Sequence, residues 1–456
     1  MNTKTISQIL SDFIYEIDFN DLPDKVQDKL KLHTLDTIGV ILGGSAYPAS
    51  KMAYKSVFGT GMNSNLGPVT VIGMKSTAPA LIAAFINGTN GHGLEFDDGY
   101  NGIHPGAPII PSSLAAAQLI DASGKKLLEG IACGYEVAIR IHKAIFPEHR
   151  RIGFHPTGTC ATFGAAAAAG KIIGLNSDQI TNALGLAGTQ VAGLREGTGA
   201  ASAMMKRIHA GKAASNGLLS ALLAKEGYLA PSTILEGKSG FLNLYSNRYN
   251  QNEILSNLGK QYNLVDAYIK PYPTCRHMHG PIQSLLSLRN AKNIMDDDIK
   301  KITVEIYREG TYFTDQNPTS FYDAQFSMPY VLSAAAVDGE LTLEQLTEKK
   351  LQDCKIKKLC RKVEIFFNQE LDDIFRKTHK RAYTLNIQLK DGTSFNKSIP
   401  DPKGSPADPL LKNEIEEKFI KLVTPIIGNN KLAKLLKIIE NLSELDSTNN
   451  LGHLLI

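Results

Sequence analysis

Apolar positions set a helical rhythm over the first 265 residues and an alternating one afterwards. The run Ala80–Ile86 stands behind Thr77-Ala78-Pro79, which reads as a cap followed by a first-turn proline. Pro111-Ser112-Ser113 is expected to open a helix over Leu114–Ala122, closed by Ser123-Gly124. Lys125–Ile145 places Leu127, Leu128, Ile131, Tyr135, Ala138 and Ile139 on one helical face. Asn176-Ser177-Asp178 starts a further helix, and Lys212–Lys225 runs to a stop at Glu226-Gly227. Ala161–Gly170 contains Ala165–Ala169; so little side chain lets neighbouring backbones approach, which predicts a buried central helix.

After about Asp266 the texture changes. Lys301–Tyr307 alternates like a half-buried strand, and Val363–Phe367 is a second strand. Tyr383–Leu389, Asp391-Gly392 and Thr393–Ile399 read as a β-hairpin around an Asp-Gly turn. Asp323–Val337 and Leu343–Leu351 read as helices between them, and helices near Pro409–Leu422 and Lys431–Leu445 are expected to return to the first domain. The prediction is a mainly α protein: a large helical domain formed from both chain ends, with a smaller α+β insert.

At 456 residues the chain is long enough for two or three domains and a large core. A formal net charge of +4, from 49 basic and 45 acidic residues without a basic block, disfavours nucleic-acid binding. Cys133, Cys160, Cys275, Cys354 and Cys360 make no CxxC pair, so they read as thiols in a reducing compartment. Met1–Asn20 has no signal-peptide core, and no apolar run approaches the 18 or so residues of a membrane span. A cytoplasmic location is expected.

Four segments could carry chemistry. The densest is Gly91-His92-Gly93-Leu94-Glu95-Phe96-Asp97-Asp98, followed by His104-Pro105-Gly106. On a helix His92, Glu95 and Asp98 would share one side, where burial is costly unless they serve each other or a ligand. In Gly153–Thr159, His155 stands before a helix start that could hold an anion. Met204–Lys212 carries Lys206, Arg207, His209 and Lys212, cations suited to carboxylates, ahead of a helix. Lys270-Pro271-Tyr272-Pro273-Thr274-Cys275-Arg276-His277-Met278-His279 lies where the texture changes. Taken singly, each also fits a solvated helix end, a capping loop, surface charge or a buried thiol. No GxGxxG follows a strand, and neither GxxxxGK[ST] nor GxSxG occurs.

Together these segments resemble the MmgE/PrpD family, which includes 2-methylcitrate dehydratase, cis-aconitate decarboxylase and iminodisuccinate epimerase. The "GHxxDFDD…HPs" pattern is matched by Gly91–Asp98 with His104-Pro105. The "K…H.G.AA.NG" pattern is matched by Lys206, His209, Gly211, Ala213-Ala214 and Asn216-Gly217. The "K.YP.CR..H" pattern is matched by Lys270, Tyr272-Pro273, Cys275-Arg276 and His279. The resemblance implies an all-helical domain over 1–265 plus 400–456 and an inserted α+β lid over 266–399. It also implies a homodimer with its site between domain and lid, a small di- or tricarboxylate substrate, and no metal or organic cofactor. Carried over by motif, Glu95, His104, His155 and Lys206 are the catalytic candidates; Lys270, Cys275, Arg276, His279 and Tyr330 are the substrate-binding ones.

Dehydration, decarboxylation and epimerisation in such a family share carbanion or enolate character beside a carboxylate. Fixed cations can stabilise that charge. The expectation assigns Lys206, Arg276 and Lys270 to carboxylates, His104 and His155 to proton transfer, and Glu95 to orienting a histidine. Lys206 is an alternative base, and a closing lid would exclude water. Glu95 stands where the family commonly has aspartate, Gly99 where cis-aconitate decarboxylases have threonine, and Cys275 where those have histidine. The long insertions of bacterial 2-methylcitrate dehydratases are missing. A dehydratase-type lyase is the first expectation, with an epimerase or decarboxylase as alternatives. Remoter alternatives are an isoprenoid-synthase-like magnesium enzyme, suggested by Phe96-Asp97-Asp98 but lacking the third acid at Asn101, and a carboxylate-binding scaffold without catalysis.

Overall fold

The computed structural model describes residues 4–59, 67–196 and 204–456. It is mainly helical and divides into two units. Among the described residues the first comprises 4–59, 67–196, Met205–Ile269 and Leu411–Ile456, and the second Met204 with Lys270–Leu410. Those divisions fall a few residues after the expected 265/266 and about eleven after the expected 399/400.

The first unit opens with α1 (Ile6–Glu16), α2 (Asp24–Ser45) and α3 (Pro48–Phe58). A short antiparallel pair, β1 (Val69–Val71) and β2 (Ser76–Ala78), precedes α4 (Ala80–Gly91). Thr77 and Ala78 therefore lie in a strand, and Pro79 itself occupies the N-cap of α4, so the expected cap sits too early. The next helix is also displaced: α5 runs Gly106–Ile120 straight through Pro111. Pro111 has no N–H to give the preceding turn, a loss of about 3 kcal/mol. Burial of Gly106–Gln118 on all sides outweighs it. Then come α6 (Gly124–Ile145), α7 (Cys160–Ile172), α8 (Ser177–Gly188, with an Asn176/Gln179 capping box) and α9 (Met204–Lys225).

The alanine-rich α7 is buried along its whole length and packs on α5, α6 and α8. Its meeting with α6 needs glycine on both sides. A Cβ on Gly134 would lie 2.9 Å from Gly164 O, and one on Gly164 would lie 2.5 Å from Gly134 O. A second such crossing joins α4 to α9, where a Cβ on Gly88 would lie 2.8 Å from the Cα of Gly211. That crossing carries the basic start of α9 to the end of α4. Here the sequence expectation was short: α9 begins at Met204, so Lys206, Arg207 and His209 are helical and buried.

The second unit holds α10 (His279–Lys292), α11 (Met328–Asp338) and α12 (Gln369–Thr378). They accompany a sheet of β3 (Ile299–Ile306), β4 (Val363–Phe367), β5 (Tyr383–Leu389) and β6 (Ser394–Lys397). The strand order is β4-β3-β5-β6, with β3 parallel to β4 and the other pairs antiparallel. Ile302, Val304 and Ile306 of β3 are buried, as alternation requires. Gly392 takes φ 94° in the β5–β6 turn, as an Asp-Gly turn demands.

The chain returns to the first unit as α13 (Lys412–Glu440), which packs on α2. Pro425 and Gly428 (φ 73°, ψ 167°) break α13 where the sequence suggested two helices. Among the described residues no helix is long and apolar enough to cross a membrane.

Candidate active site

α4 stops at Gly91, and the next seven residues form a buried irregular turn rather than a helix face. Glu95 sits at φ 52°, the left-handed region that a glutamate occupies only when its surroundings hold it there. The three groups placed on one helical side by spacing thus point to separate partners.

Asp98 is fully buried and accepts from Tyr135 Oη at 2.6 Å, His33 Nδ1 at 2.8 Å and the Gly106 amide at 3.0 Å. The last of these ties the turn to the start of α5. Asp97 faces two imidazoles: its Oδ2 lies 2.7 Å from His92 Nδ1 and 3.1 Å from His104 Nδ1. His104 Nδ1 is also 2.7 Å from the Asp98 carbonyl oxygen. A carbonyl can only accept, so His104 carries its proton on Nδ1 and presents Nε2 as the basic nitrogen. Thr157 Oγ1 accepts from the His104 amide at 3.0 Å and fixes the backbone.

Glu95, expected to orient a histidine, is bonded to two cations. Lys206 Nζ donates to both of its oxygens at 2.7 Å, and Arg207 Nη1 donates to Oε2 at 2.7 Å. All three side chains are buried, so one carboxylate faces two cations away from water. These bonds hold Lys206 against a carboxylate, the arrangement of an electrostatic anchor. Asp97 takes the orienting role expected of Glu95.

His155 is buried before α7, its amide donating to Gly193 O at 3.0 Å. Its Nδ1 is 2.9 Å from Nδ1 of His209 on α9. The His92 ring stacks on it at 5.7 Å, and the His104 ring is 6.3 Å away. Burial first, then the charge of Lys206, pushes His155 well below the usual imidazole range. The same two causes lower His209 to about 4. Burial lowers His92 to about 3 against the opposing pull of Asp97. These three imidazoles are neutral near pH 7, gathered around one ammonium.

The other five sequence candidates lie in the second unit. Lys270 is fully buried, and Cys275 is partly buried with its amide donating to Gln325 O at 3.2 Å. Arg276 gives its guanidinium to the Lys403 and Pro402 carbonyls at 3.0 and 3.1 Å and to His279 Nδ1 at 2.9 Å. His279 therefore accepts at Nδ1 and donates from Nε2 to Thr274 O at 3.1 Å. Burial, then Arg276 and Lys270, hold it well below the usual range. Tyr330 lies in α11, its hydroxyl donating to Gln345 O at 2.6 Å. Arg276, His279 and Tyr330 thus brace their own unit.

Sequence reading grouped Arg207 and His209 only among cations suited to carboxylates and Asp97 only within its acidic motif, and it gave His33, Tyr135 and Lys418 no role in the site. Arg207 and His209 had a usable signal, since Arg207 follows Lys206 directly and His209 stands three residues beyond it, on the same helical face. Lys418 had none: it comes from α13, donates to Phe96 O at 2.6 Å and pairs with Asp36 at 2.7 Å. The ligand atoms of His92, Asp97 and His104 approach within 4.8 Å of one another, a spacing that metals use. Asp97 also bridges the two imidazoles of that set through its Oδ2, which ties the three residues into a hydrogen-bonded triad. Asp97 and Asp98 are likewise spoken for by histidine, tyrosine and backbone, which does not fit a magnesium–diphosphate motif.

The MmgE/PrpD N-terminal domain model matches residues 8–253, and the MmgE/PrpD C-terminal domain model matches 272–444. Cis-aconitate decarboxylase of Homo sapiens is 28% identical over 472 aligned residues, spanning 100% of this chain and 95% of that protein. Cis-aconitate decarboxylase of Aspergillus terreus is 27% identical over 96% of this chain and 93% of that protein. The mitochondrial 2-methylcitrate dehydratase of Yarrowia lipolytica is 24% identical over 86% of this chain and 78% of that protein. With both of its domain models laid in order along the sequence, the chain belongs to the MmgE/PrpD family.

Proposed function

We propose that this MmgE/PrpD-type lyase dehydrates a small tricarboxylate of the 2-methylcitrate kind by proton transfer beside a carboxylate, without a metal or organic cofactor. The observation that carries the reading is His104, whose Nδ1–H is spent on Asp98 O beside Asp97 so that Nε2 is the base. Nε2 removes a proton from the carbon next to a substrate carboxylate. The electron pair moves onto that carboxylate, and Lys206, anchored by Glu95, offsets the new charge. His155 gives a proton to the departing hydroxyl, which leaves as water. Dehydration needs a base and an acid, and two imidazoles with their rings 6.3 Å apart supply both.

Decarboxylation of cis-aconitate is a second reading, favoured by relatives of that name that span nearly all of this chain. It breaks a carbon–carboxylate bond and needs only one proton donor. Gly99 counts against it: a Cβ there would lie 2.4 Å from the Tyr268 hydroxyl, so the threonine expected of a decarboxylase would require that side chain to move.

Proton NMR in D₂O, with chelator present throughout, separates the readings on citrate, 2-methylcitrate, cis-aconitate and iminodisuccinate. Water loss from a hydroxy acid is expected, and His104→Ala should lower it by about 10²-fold or more. Carbon dioxide release from cis-aconitate alone would replace the first reading with the second. Exchange of deuterium without net loss would mark an epimerase, and dependence on added metal would overturn the cofactor-free mechanism.

A further inference from the structure

We propose that His155 and His209 form a two-histidine proton relay, in which the one proton shared by their Nδ1 atoms lets His155 serve alternately as acid and base. The inference rests on the reading above that His155 works on the substrate.

The geometry is a 2.9 Å contact between two Nδ1 atoms, with ring centroids 5.1 Å apart. A nitrogen–nitrogen hydrogen bond has one donor and one acceptor, so two neutral imidazoles can hold it in two ways. In one, His155 donates from Nδ1 and its Nε2 is a base, while His209 carries its proton on Nε2. In the other, His209 donates from Nδ1 and His155 carries a proton on Nε2, ready to be given as an acid. The charged and titratable groups around the pair are Lys206 and Lys212 on α9 and His92 and His104 on the turn. Their cations and the burial disfavour an imidazolium at either ring, which leaves these two neutral arrangements as the resting states. His155 is held by its loop, whereas His209 sits on α9 three residues beyond Lys206 and keeps 7% of its surface exposed.

The cycle balances. When His155 Nε2–H protonates the leaving hydroxyl, a C–O bond breaks and water forms. His155 Nε2 becomes the lone-pair nitrogen, and the shared proton moves from His209 Nδ1 to His155 Nδ1. His209 Nε2 then takes one proton from solvent. The acid is restored by running the relay backwards: the proton that His104 took from carbon passes through a water to His155 Nε2, the shared proton returns from His155 Nδ1 to His209 Nδ1, and His209 Nε2 releases one proton to solvent. Lysine charge is untouched throughout.

Three measurements test this. His209→Asn can keep a hydrogen bond to His155 but cannot pass a proton; kcat should fall about 10-fold or more while KM holds. Added imidazole should restore part of the activity to His209→Ala. In ¹⁵N-histidine-labelled protein, a scalar coupling across the hydrogen bond should link the two Nδ1 nuclei and vanish in His209→Asn. An active wild type whose His209→Asn variant keeps its kcat, or the lack of that coupling, overturns the relay and leaves the lyase reading standing. A wild type inert toward every carboxylate of the panel overturns the lyase reading first and the relay with it.

Discussion

At the scale of one residue, Glu95 is the most exacting position of the site. It is buried with positive φ, and it alone faces both Lys206 and Arg207 in the bonds described above. Glu95→Gln would remove the carboxylate that both buried cations share in those bonds. Removing one partner of a buried ion pair costs about 3–5 kcal/mol, far more than an exposed pair is worth. Urea unfolding of Glu95→Gln should therefore show a loss of that order, with lyase activity abolished. Glu95→Asp keeps the charge and should lose less of both. A glutamine variant as stable as wild type would mean the cluster finds other compensation. Sequence reading found Glu95 but not the two cations it bonds. Spacing along a helix put it beside His92 and Asp98, yet the helix ends at Gly91 and the left-handed turn redirects each side chain. Such a reversal costs one dihedral angle and leaves no trace in periodicity.

At the scale of the element, small residues were legible and prolines misleading. The alanine run of α7 announced a buried helix because only close packing rewards so little side chain. Pro111 pointed to a helix start, since local propensity has no knowledge of the burial that carries α5 through it. The glycines of α7 differ in what surrounds them, and this yields a paired prediction. Gly164→Ala sets a Cβ 2.5 Å from Gly134 O, so overpacking of about 1–3 kcal/mol should exceed the roughly 1 kcal/mol that alanine gains over glycine in a helix. Gly170→Ala meets nothing nearer than Leu175 Cδ1 at 3.4 Å, an ordinary contact, and should be neutral or stabilising by up to about 1 kcal/mol. Thermal unfolding of the two variants decides it: a lower midpoint for the first and an equal or higher one for the second. Equal losses in both would mean the α6–α7 crossing is not the tight point.

At the scale of the whole molecule, the contacts least visible in the sequence are those that close it. Lys418 reaches back from α13 to Phe96 O and Asp36, and a Cβ on Gly39 of α2 would lie 2.7 Å from the Phe419 ring. Helices were expected in the C-terminal segment; their pattern could not show which side chain braces the turn. The density of buried neutral histidines has a consequence for the stability of the first unit. His149 is the clearest case, because no carboxylate touches it: it donates from Nδ1 to Tyr245 O at 2.8 Å, and its Nε2 accepts from the Thr159 hydroxyl at 2.7 Å. Burial, mainly, lowers it to about 4, and His209 to about the same. An unfolded histidine charges near pH 6.5, so below that the unfolded chain binds protons that the native one refuses. The stabilisation is complete above about 6.5 and drains away as pH falls toward 4, by on the order of 3 kcal/mol for each such histidine. Urea unfolding of the first unit, followed from pH 7.5 to 4.5, should show that loss. His149→Phe should start lower at pH 7.5, having removed the donor to the Tyr245 carbonyl and the closest acceptor of the Thr159 hydroxyl, and fall less steeply below 6.5. Parallel curves for variant and wild type would rule out His149 as a source of the acid sensitivity.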